Sequence, residues 1–402
     1  MEPDITSKLI VYPSENGDSF LLKAGSVNLL IDGGYVNTYK NHIKGDLEEI
    51  SRVGGELSLI VVTHIDQDHI SGILKLFEEN QAERLIKISR VWHNSYRHLQ
   101  FEKEFGDREP TTKDDFLDEI KGSSYLKEVV ESSNHTISAK HGSSLSAMLL
   151  SGSYSWNDEF ENKAVSTENK LFIDLPNDVH IKLLSPNNEK LRRLDKEWHK
   201  ELKRKGYLAG VNPTVYYDDA FEFMVARHKE KPRYREKNIA SSIPDVENLA
   251  KGSFFEDRSP TNGSSIAFVL EYSGKKLLFL GDSHPSVVVQ SLKSIYSSEK
   301  WPLQFDVIKL SHHGSWSNNS PELFTLIDAP KYIISTNGKG HGHPDEETIA
   351  SVVSRESEYI RELYFNYPSE KATSFDVAEL RERFRYSIIQ GDGKSPIQID
   401  LK

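Results

Sequence analysis

The stretch LSLIVVTHIDQDHISG, residues 57–72, decides how this chain is read. Its first seven residues, Leu57 to Thr63, are mostly apolar and rich in β-branched side chains, the pattern of a short strand buried on both faces. The run stops at His64, Asp66, Asp68 and His69, four potential metal ligands within six positions. An extended chain would put His64, Asp66 and Asp68 on one side, but Gly72 and the apolar pairs Ile73-Leu74 and Leu76-Phe77 predict a helix soon after. A strand-to-helix turn lets all four side chains converge on one point. Imidazole nitrogen and carboxylate oxygen hold zinc or manganese while leaving coordination positions for water and substrate. A solvated polar turn would account for one His and one Asp. Two of each, crowded at the end of a buried strand, call for a compensating charge.

Upstream, residues 8–12, 19–23 and 27–31 read as short strands separated by Asn16-Gly17-Asp18 and Gly25, and the third ends at Asp32-Gly33-Gly34. Downstream, Ile70 to Asn80 reads as a helix and Ile86 to His93 as a strand. Residues 96–133 are charged and helical in pattern, and Val179 to Leu184 reads as a strand ending at Ser185-Pro186, with His180 inside it in a structural place. Residues 187–258 read as an insertion, opened by Asn187-Asn188 capping a helix to Lys205. Between Asn187 and Ala240 stand 14 Lys/Arg against 9 Asp/Glu, which predicts either a solvated face or a basic, Tyr-bearing wall (Tyr216, Tyr217, Tyr234) guiding a phosphate-bearing substrate. Arg233 and Arg235 are the substrate-binding candidates there.

From Pro260 onward, strand after strand delivers polar residues at its C-terminal end. Asn262-Gly263-Ser264-Ser265 opens IAFVLEY, Lys276 to Leu280 runs into Gly281-Asp282, and Phe305 to Leu310 ends at Ser311-His312-His313-Gly314-Ser315. Tyr332 to Ser335 leads to His341-Gly342-His343-Pro344. That recurrence points to one shared site. Residues 358–402 carry no motif and read as a C-terminal β extension with a Gly391-Asp392-Gly393 turn.

The HxDxDH of His64 to His69 resembles the second motif of the metallo-β-lactamase fold, in the version of ComEC-like competence proteins and phosphorylcholine esterases. Asp32-Gly33-Gly34, Gly17-Asp18-Ser19, Gly281-Asp282, HHGS and GHP resemble further motifs of that family, in family order. The resemblance covers roughly 5–85 and 260–350. It implies an α/β fold, an αββα sandwich over 1–357 with a largely helical insertion at 187–258, and a site for two divalent cations, Zn²⁺ or Mn²⁺. It implies His64, Asp66, Asp282 and His313 on one cation and Asp68, His69, Asp282 and His343 on the other, with Asp282 bridging. Asp32 is then a supporting hydrogen-bond partner, Asp68 and His312 are catalytic candidates, and Ser315 is a substrate contact. Which of His312 and His313 ligates stays open, as does His341 against His343. The chain departs from many relatives at Ser185, where they carry a third-motif His.

The implied chemistry is hydrolysis by a water shared between two cations, which loses its proton near neutral pH. Three aspartates and no thiolate make a ligand set hard enough for Mn²⁺ as well as Zn²⁺. Asp66 in place of the second His, and the phosphate-ester chemistry of the relatives by motif, imply a phosphodiester substrate, nucleic acid among the candidates. A small-molecule phosphoester, ester or amide hydrolase is the first alternative, and a metal-binding partner protein without turnover the second. A protein partner or homo-oligomer is left open.

The bulk composition fits. At 402 residues and 37% hydrophobic content the chain can bury one large core or two moderate ones. Zero cysteines exclude disulfides and thiolate metal sites. A net charge of −11 argues against a general nucleic-acid coat protein, without excluding a local basic groove. No apolar run reaches the roughly 20 residues of a membrane span, and MEPDITSKLIVYP lacks a signal-peptide pattern, so a cytoplasmic protein is expected.

Overall fold

The structure, a computed structural model, describes residues 7–99, 145–204, 243–339 and 342–401. Two sheets lie face to face with helices on both outer surfaces. The first has six strands in the order β16-β1-β2-β3-β4-β5, and the second eight in the order β15-β14-β13-β11-β9-β8-β7-β6. In the first, β1 (Lys8–Val11), β2 (Phe20–Ala24) and β3 (Val27–Ile31) form an antiparallel meander. Strands β4 (Leu59–Val61) and β5 (Val91–Trp92) add to it in parallel. In the second, β6 (Phe172–Leu175), β7 (Val179–Ser185), β8 (Ala267–Tyr272) and β9 (Lys275–Phe279) are antiparallel. Strands β11 (Val307–Lys309), β13 (Lys331–Ile334), β14 (Arg361–Phe365) and β15 (Tyr386–Gln390) follow in parallel. The pair β10 (Leu303–Gln304) and β12 (Ile327–Asp328) stands apart, and β16 (Ile397–Asp400) closes the first sheet against β1.

Strand periodicity explains why the middle is dry. Leu9, Val11, Leu29, Ile31, Leu59 and Val61 point inward against Leu183, Phe268, Leu270, Leu277 and Phe279 of the second sheet. The residues between them, Ile10, Leu30 and Ile60, point outward and are covered by Ile70, Ile73 and Phe77 of the helix Gln67–Glu83. Val269, Leu278, Ile308 and Tyr332 do the same on the other side beneath Val288, Leu292, Ile349 and Val353. The central strands of both sheets are buried on both faces, the αββα arrangement expected.

The expected strand over Ile86–His93 pairs regularly only at Val91 and Trp92, with Leu57 and Ile88 forming an isolated bridge. The helix expected after Asn187 runs Asn188–Arg204, and Asn187 Oδ1 accepts from the Lys190 amide at 2.9 Å. The segment after 357 is not all β: helices Glu370–Phe375 and Ala378–Phe384 lie between β14 and β15. Its strands enter both sheets. Among the described residues, no helix is long and apolar enough to cross a membrane.

Candidate metal centre

Four strands end at one place. Asp32 follows β3, His64 to His69 follow β4, Asp282 follows β9, and His312 and His313 follow β11. Asp32 holds a left-handed backbone (φ 55°) and is buried. Its Oδ1 accepts from the Thr63 amide at 2.7 Å, and its Oδ2 accepts from Thr63 Oγ1 at 2.6 Å. The same Oδ2 lies 2.9 Å from His69 Nδ1. A carboxylate with two nearby donors accepts, so His69 carries its proton on Nδ1 and turns the Nε2 lone pair into the centre. The DGG turn also receives the metal-loop helix. A Cβ on Gly72 would stand 2.0 Å from the Gly33 carbonyl oxygen, so only glycine allows that approach.

The other imidazoles are oriented by the same logic. His313 Nδ1 donates to the Ser335 carbonyl at 2.8 Å. Thr63 spends its hydroxyl hydrogen on Asp32 and so accepts from His64 Nδ1 at 3.1 Å, with Ser265 Oγ also at 3.1 Å. Ser265 Oγ in turn accepts from the Asp282 amide at 2.9 Å. His312 Nδ1 lies 2.9 Å from Asn318 Oδ1.

All four Nε2 atoms therefore surround Asp282 Oδ2, at 3.7 Å for His64, 3.6 Å for His69, 3.8 Å for His312 and 3.8 Å for His313. Asp66 Oδ2 stands 3.5 Å from His64 Nε2, and Asp68 reaches to 3.9 Å from both His69 Nε2 and His313 Nε2. These separations are too long for hydrogen bonds. They suit two ligands of one cation: bonds of about 2.1 Å in tetrahedral array put ligand atoms about 3.4 Å apart. Among the described residues, the buried His64 Nε2, His69 Nε2 and Asp282 Oδ1 have no hydrogen-bond partner. The residues fit divalent cations.

Among the described residues four metal-sized groups emerge: His64, His69 and Asp282; Asp68, His69 and His313; Asp282, His312 and His313; and Asp18, Asp32 and His69. Both HHGS imidazoles face Asp282, and His313 groups with Asp68 and His69. Among the described residues His343 joins none of these groups. It packs on His312 with ring centroids 5.0 Å apart, and its Nδ1 lies 3.5 Å from Asp345 Oδ2. Asp345 is itself fixed by accepting from the Trp316 amide at 2.7 Å. Asp66 sits at the rim, outside the same groups.

Ser315 is buried and ties the HHGS turn, its amide donating to the His312 carbonyl at 2.8 Å. Ser185 is buried at the end of β7, and among the described residues its hydroxyl has no hydrogen-bond partner. His180 pairs with Asp174 Oδ1 at 2.6 Å on the outer surface, as a structural residue would. Arg233, Arg235, His341 and the three tyrosines of the basic stretch lie outside the described residues.

Electrostatics follow from the crowding. Burial alone would raise the Asp282 carboxyl, but His312, His69 and His313 outweigh it and hold the group well below the usual carboxylate range. Burial opposes charge on His69, yet Asp282 and Asp32 raise it well above the ordinary imidazole value. A cation would satisfy the same pull. His343 behaves oppositely: burial, aided by His312 and His313, lowers it to about 4 against the pull of Asp345.

Sequence reasoning passed over one ion pair. Asp18 and Lys309, each 1% exposed, meet beneath the centre, with Lys309 Nζ 4.0 Å from Asp282 Oδ1 and Asp18 Oδ1 3.5 Å from His313 Nδ1. Burial works against the Asp18 charge, and Lys309 and His313 overcome it. The signal was a lysine inside an otherwise apolar strand.

Residues 13–144 match the family model of the metallo-beta-lactamase superfamily. The fold is the metallo-β-lactamase fold. The matched range includes Asp18, Asp32 and the whole HxDxDH turn, while Asp282, His312 and His313 lie beyond it. Among solved structures, the chain is similar to the metallo-beta-lactamase fold protein YhfI from Bacillus subtilis at 8% identity. That alignment covers 98% of this chain and 99% of that one, with a TM-score of 0.38. It is also similar to Zn²⁺-bound PqqB from Methylobacterium extorquens at 10% identity, over 96% of this chain and 87% of that one, with a TM-score of 0.37. No curated protein matches the chain.

Proposed function

We propose that this chain is a metal-dependent hydrolase acting on phosphodiesters. The convergence of four Nε2 atoms on one aspartate oxygen is the observation that carries the metal-dependent part. A ligand set of imidazoles and carboxylates, with no cysteine in the chain, suits Zn²⁺ or Mn²⁺. The ComEC-like pattern of the motifs supports the phosphodiester substrate class. Two divalent cations would supply Lewis acidity and a water that ionises near neutral pH.

The residues that would hold the cations are His64, His69, Asp68, Asp282, His312 and His313, with Asp66 at the rim. Asp68 is placed to take a proton from attacking water. Its Oδ2 accepts from Asn16 Nδ2 at 2.8 Å, and Asn16 Oδ1 accepts from Tyr35 at 3.0 Å, so the carboxylate is held without being neutralised. His64, His69, His313 and Asp282 are buried. Asp66, Asp68 and His312 have side chains 28%, 16% and 10% exposed. Ligand side chains so little exposed favour, as the second reading, a small ester over a duplex.

The test is metal analysis of the purified protein, followed by assays on bis(p-nitrophenyl) phosphate, DNA and RNA after chelation and return of Mn²⁺ or Zn²⁺. Cation-dependent cleavage of a phosphodiester is expected. Bound metal with hydrolysis of small esters alone would replace this substrate class by the second reading, and a protein that retains no metal would overturn both.

A further inference from the structure

Asp257, at the far end of the 187–258 stretch, reaches the edge of the metal centre. Its amide donates to the Ser317 carbonyl at 3.0 Å, and its Oδ1 accepts from the Ser259 amide at 2.9 Å. Its Oδ2 accepts from Asn262 Nδ2 at 2.7 Å and from Asn318 Nδ2 at 3.1 Å. Asn318 Nδ2 also donates to the Asp282 carbonyl at 3.1 Å. Both acceptors lack a hydrogen, so the Asn318 amide has one possible orientation, with Oδ1 facing His312 Nδ1 at 2.9 Å. A carbonyl oxygen only accepts. The His312 proton must therefore sit on Nδ1, and Nε2 keeps its lone pair toward Asp282 Oδ2.

Asn262 Nδ2 stands 3.4 Å from the same Nδ1, but its shorter contact is with Asp257. A lone pair on Nδ1 would have to face the nearer Asn318 oxygen, so the amide oxygen decides. On its other side Asp257 faces His284, whose Nε2 lies 3.6 Å from Oδ2, and Lys190 Nζ lies 2.7 Å from His284 Nδ1. The turn Pro260–Gly263 packs against both, and a Cβ on Gly263 would stand 2.9 Å from His284 Cε1 and 3.3 Å from Lys190 Cδ.

We propose that Asp257 is a positioning residue of the metal centre: by locking the Asn318 amide it fixes the tautomer of His312 and presents Nε2 to the cation. The role rests on the metal-dependent reading above, and it gives part of the 187–258 stretch a purpose. Without the carboxylate, one of the two acceptors that hold the Asn318 amide is lost and only the Asp282 carbonyl opposes its turning over; in the turned orientation Nδ2 donates to His312 Nδ1 and the imidazole proton moves to Nε2. His312 then has no lone pair for the cation.

The experiment uses the full chain and Asp257→Asn, which keeps the shape but cannot accept from Ser259, Asn262 and Asn318 together. Long-range ¹H–¹⁵N spectra of metal-free, histidine-labelled protein report which ring nitrogen of His312 carries hydrogen, with the resonances assigned by their loss in His312→Gln. Zinc affinity is measured by competition with a chelator. Wild type is expected to show hydrogen on Nδ1. D257N is expected to move it wholly or partly to Nε2 and to weaken zinc binding about 10–100-fold. An unaltered His312 pattern with unaltered affinity in D257N would overturn the proposal, leaving Asp257 a tie between two loops. Should D257N fail to fold, Asn318→Leu keeps the Ser259 and Asn262 ties and carries the same two expectations. Neither readout requires turnover. A wild type with the expected His312 pattern and bound zinc that cleaves no phosphodiester overturns only the substrate reading.

Discussion

His312 (φ 44°, ψ 58°) and His313 (φ 55°, ψ 22°) hold left-handed backbones in succession, a costly state for residues with a Cβ. The turn is kept because it aims both rings at Asp282, which an extended chain would send to opposite faces. Side chains around the ligands matter in graded fashion. His69→Ala removes an imidazole present in three of the metal-sized groups and is expected to abolish turnover and lower metal content, read by elemental analysis. Asp32→Ala leaves every ligand in place but frees His69 and Thr63, so metal affinity is expected to fall about 10–100-fold, read by chelator competition. Retention of full metal by either variant would contradict the site. Most of the cluster was legible in the sequence, because His64, Asp66, Asp68, His69, Asp282 and the HHGS pair break apolar runs at strand ends. The left-handed turn was not legible, since no glycine marks His312 or His313. His343 was placed by the Pro after it, and that pattern says nothing of its pairing with Asp345.

Elements carry their own polar commitments. Lys309 extends from β11 into the dry interior to meet Asp18, so Lys309→Met should leave a buried carboxylate without its ion-pair partner and cost about 3–5 kcal/mol, measured by denaturant unfolding. Asp328 of β12 accepts from Arg361 Nε at 3.1 Å and NH2 at 2.7 Å, and from Tyr332 at 2.8 Å. Burial pushes the Asp328 carboxyl up, but Arg361, Arg355 and Tyr332 bring it below the ordinary aspartate value. A folded pKa below the unfolded one adds stability that is complete above the unfolded value, about 3.9, and lost as pH falls through the folded value. The fall in stability between neutral pH and acid should therefore be smaller in Asp328→Asn than in wild type, read as Tm against pH. Strands with alternating or continuous apolar residues were legible one by one. The shortness of β5 was not: backbone bonds are already made before it, from the Leu57 amide to Lys87 and from the Ile60 amide to Arg90, without making a regular ladder.

At the scale of the molecule, the chain after 357 joins the two sheets instead of hanging from one. Strands β14 and β15 extend the second sheet, β16 edges the first, and Leu363, Phe365, Phe375 and Ile399 are buried. A chain ending at 357 is expected to be insoluble or to lose its cooperative thermal transition, read by calorimetry. A soluble, metal-loaded truncation would show that this segment is dispensable. The sequence marked these strands without saying which sheet they join, because pairing partners far apart leave no local pattern. The pairing of Lys8–Val11 with Ile397–Asp400 has a consequence for how the protein is made. The strand Lys8–Val11 has a bare flank until residues nearly four hundred positions later emerge, so the nascent polypeptide offers an open edge to chaperones, or to other copies, while the intervening residues are made.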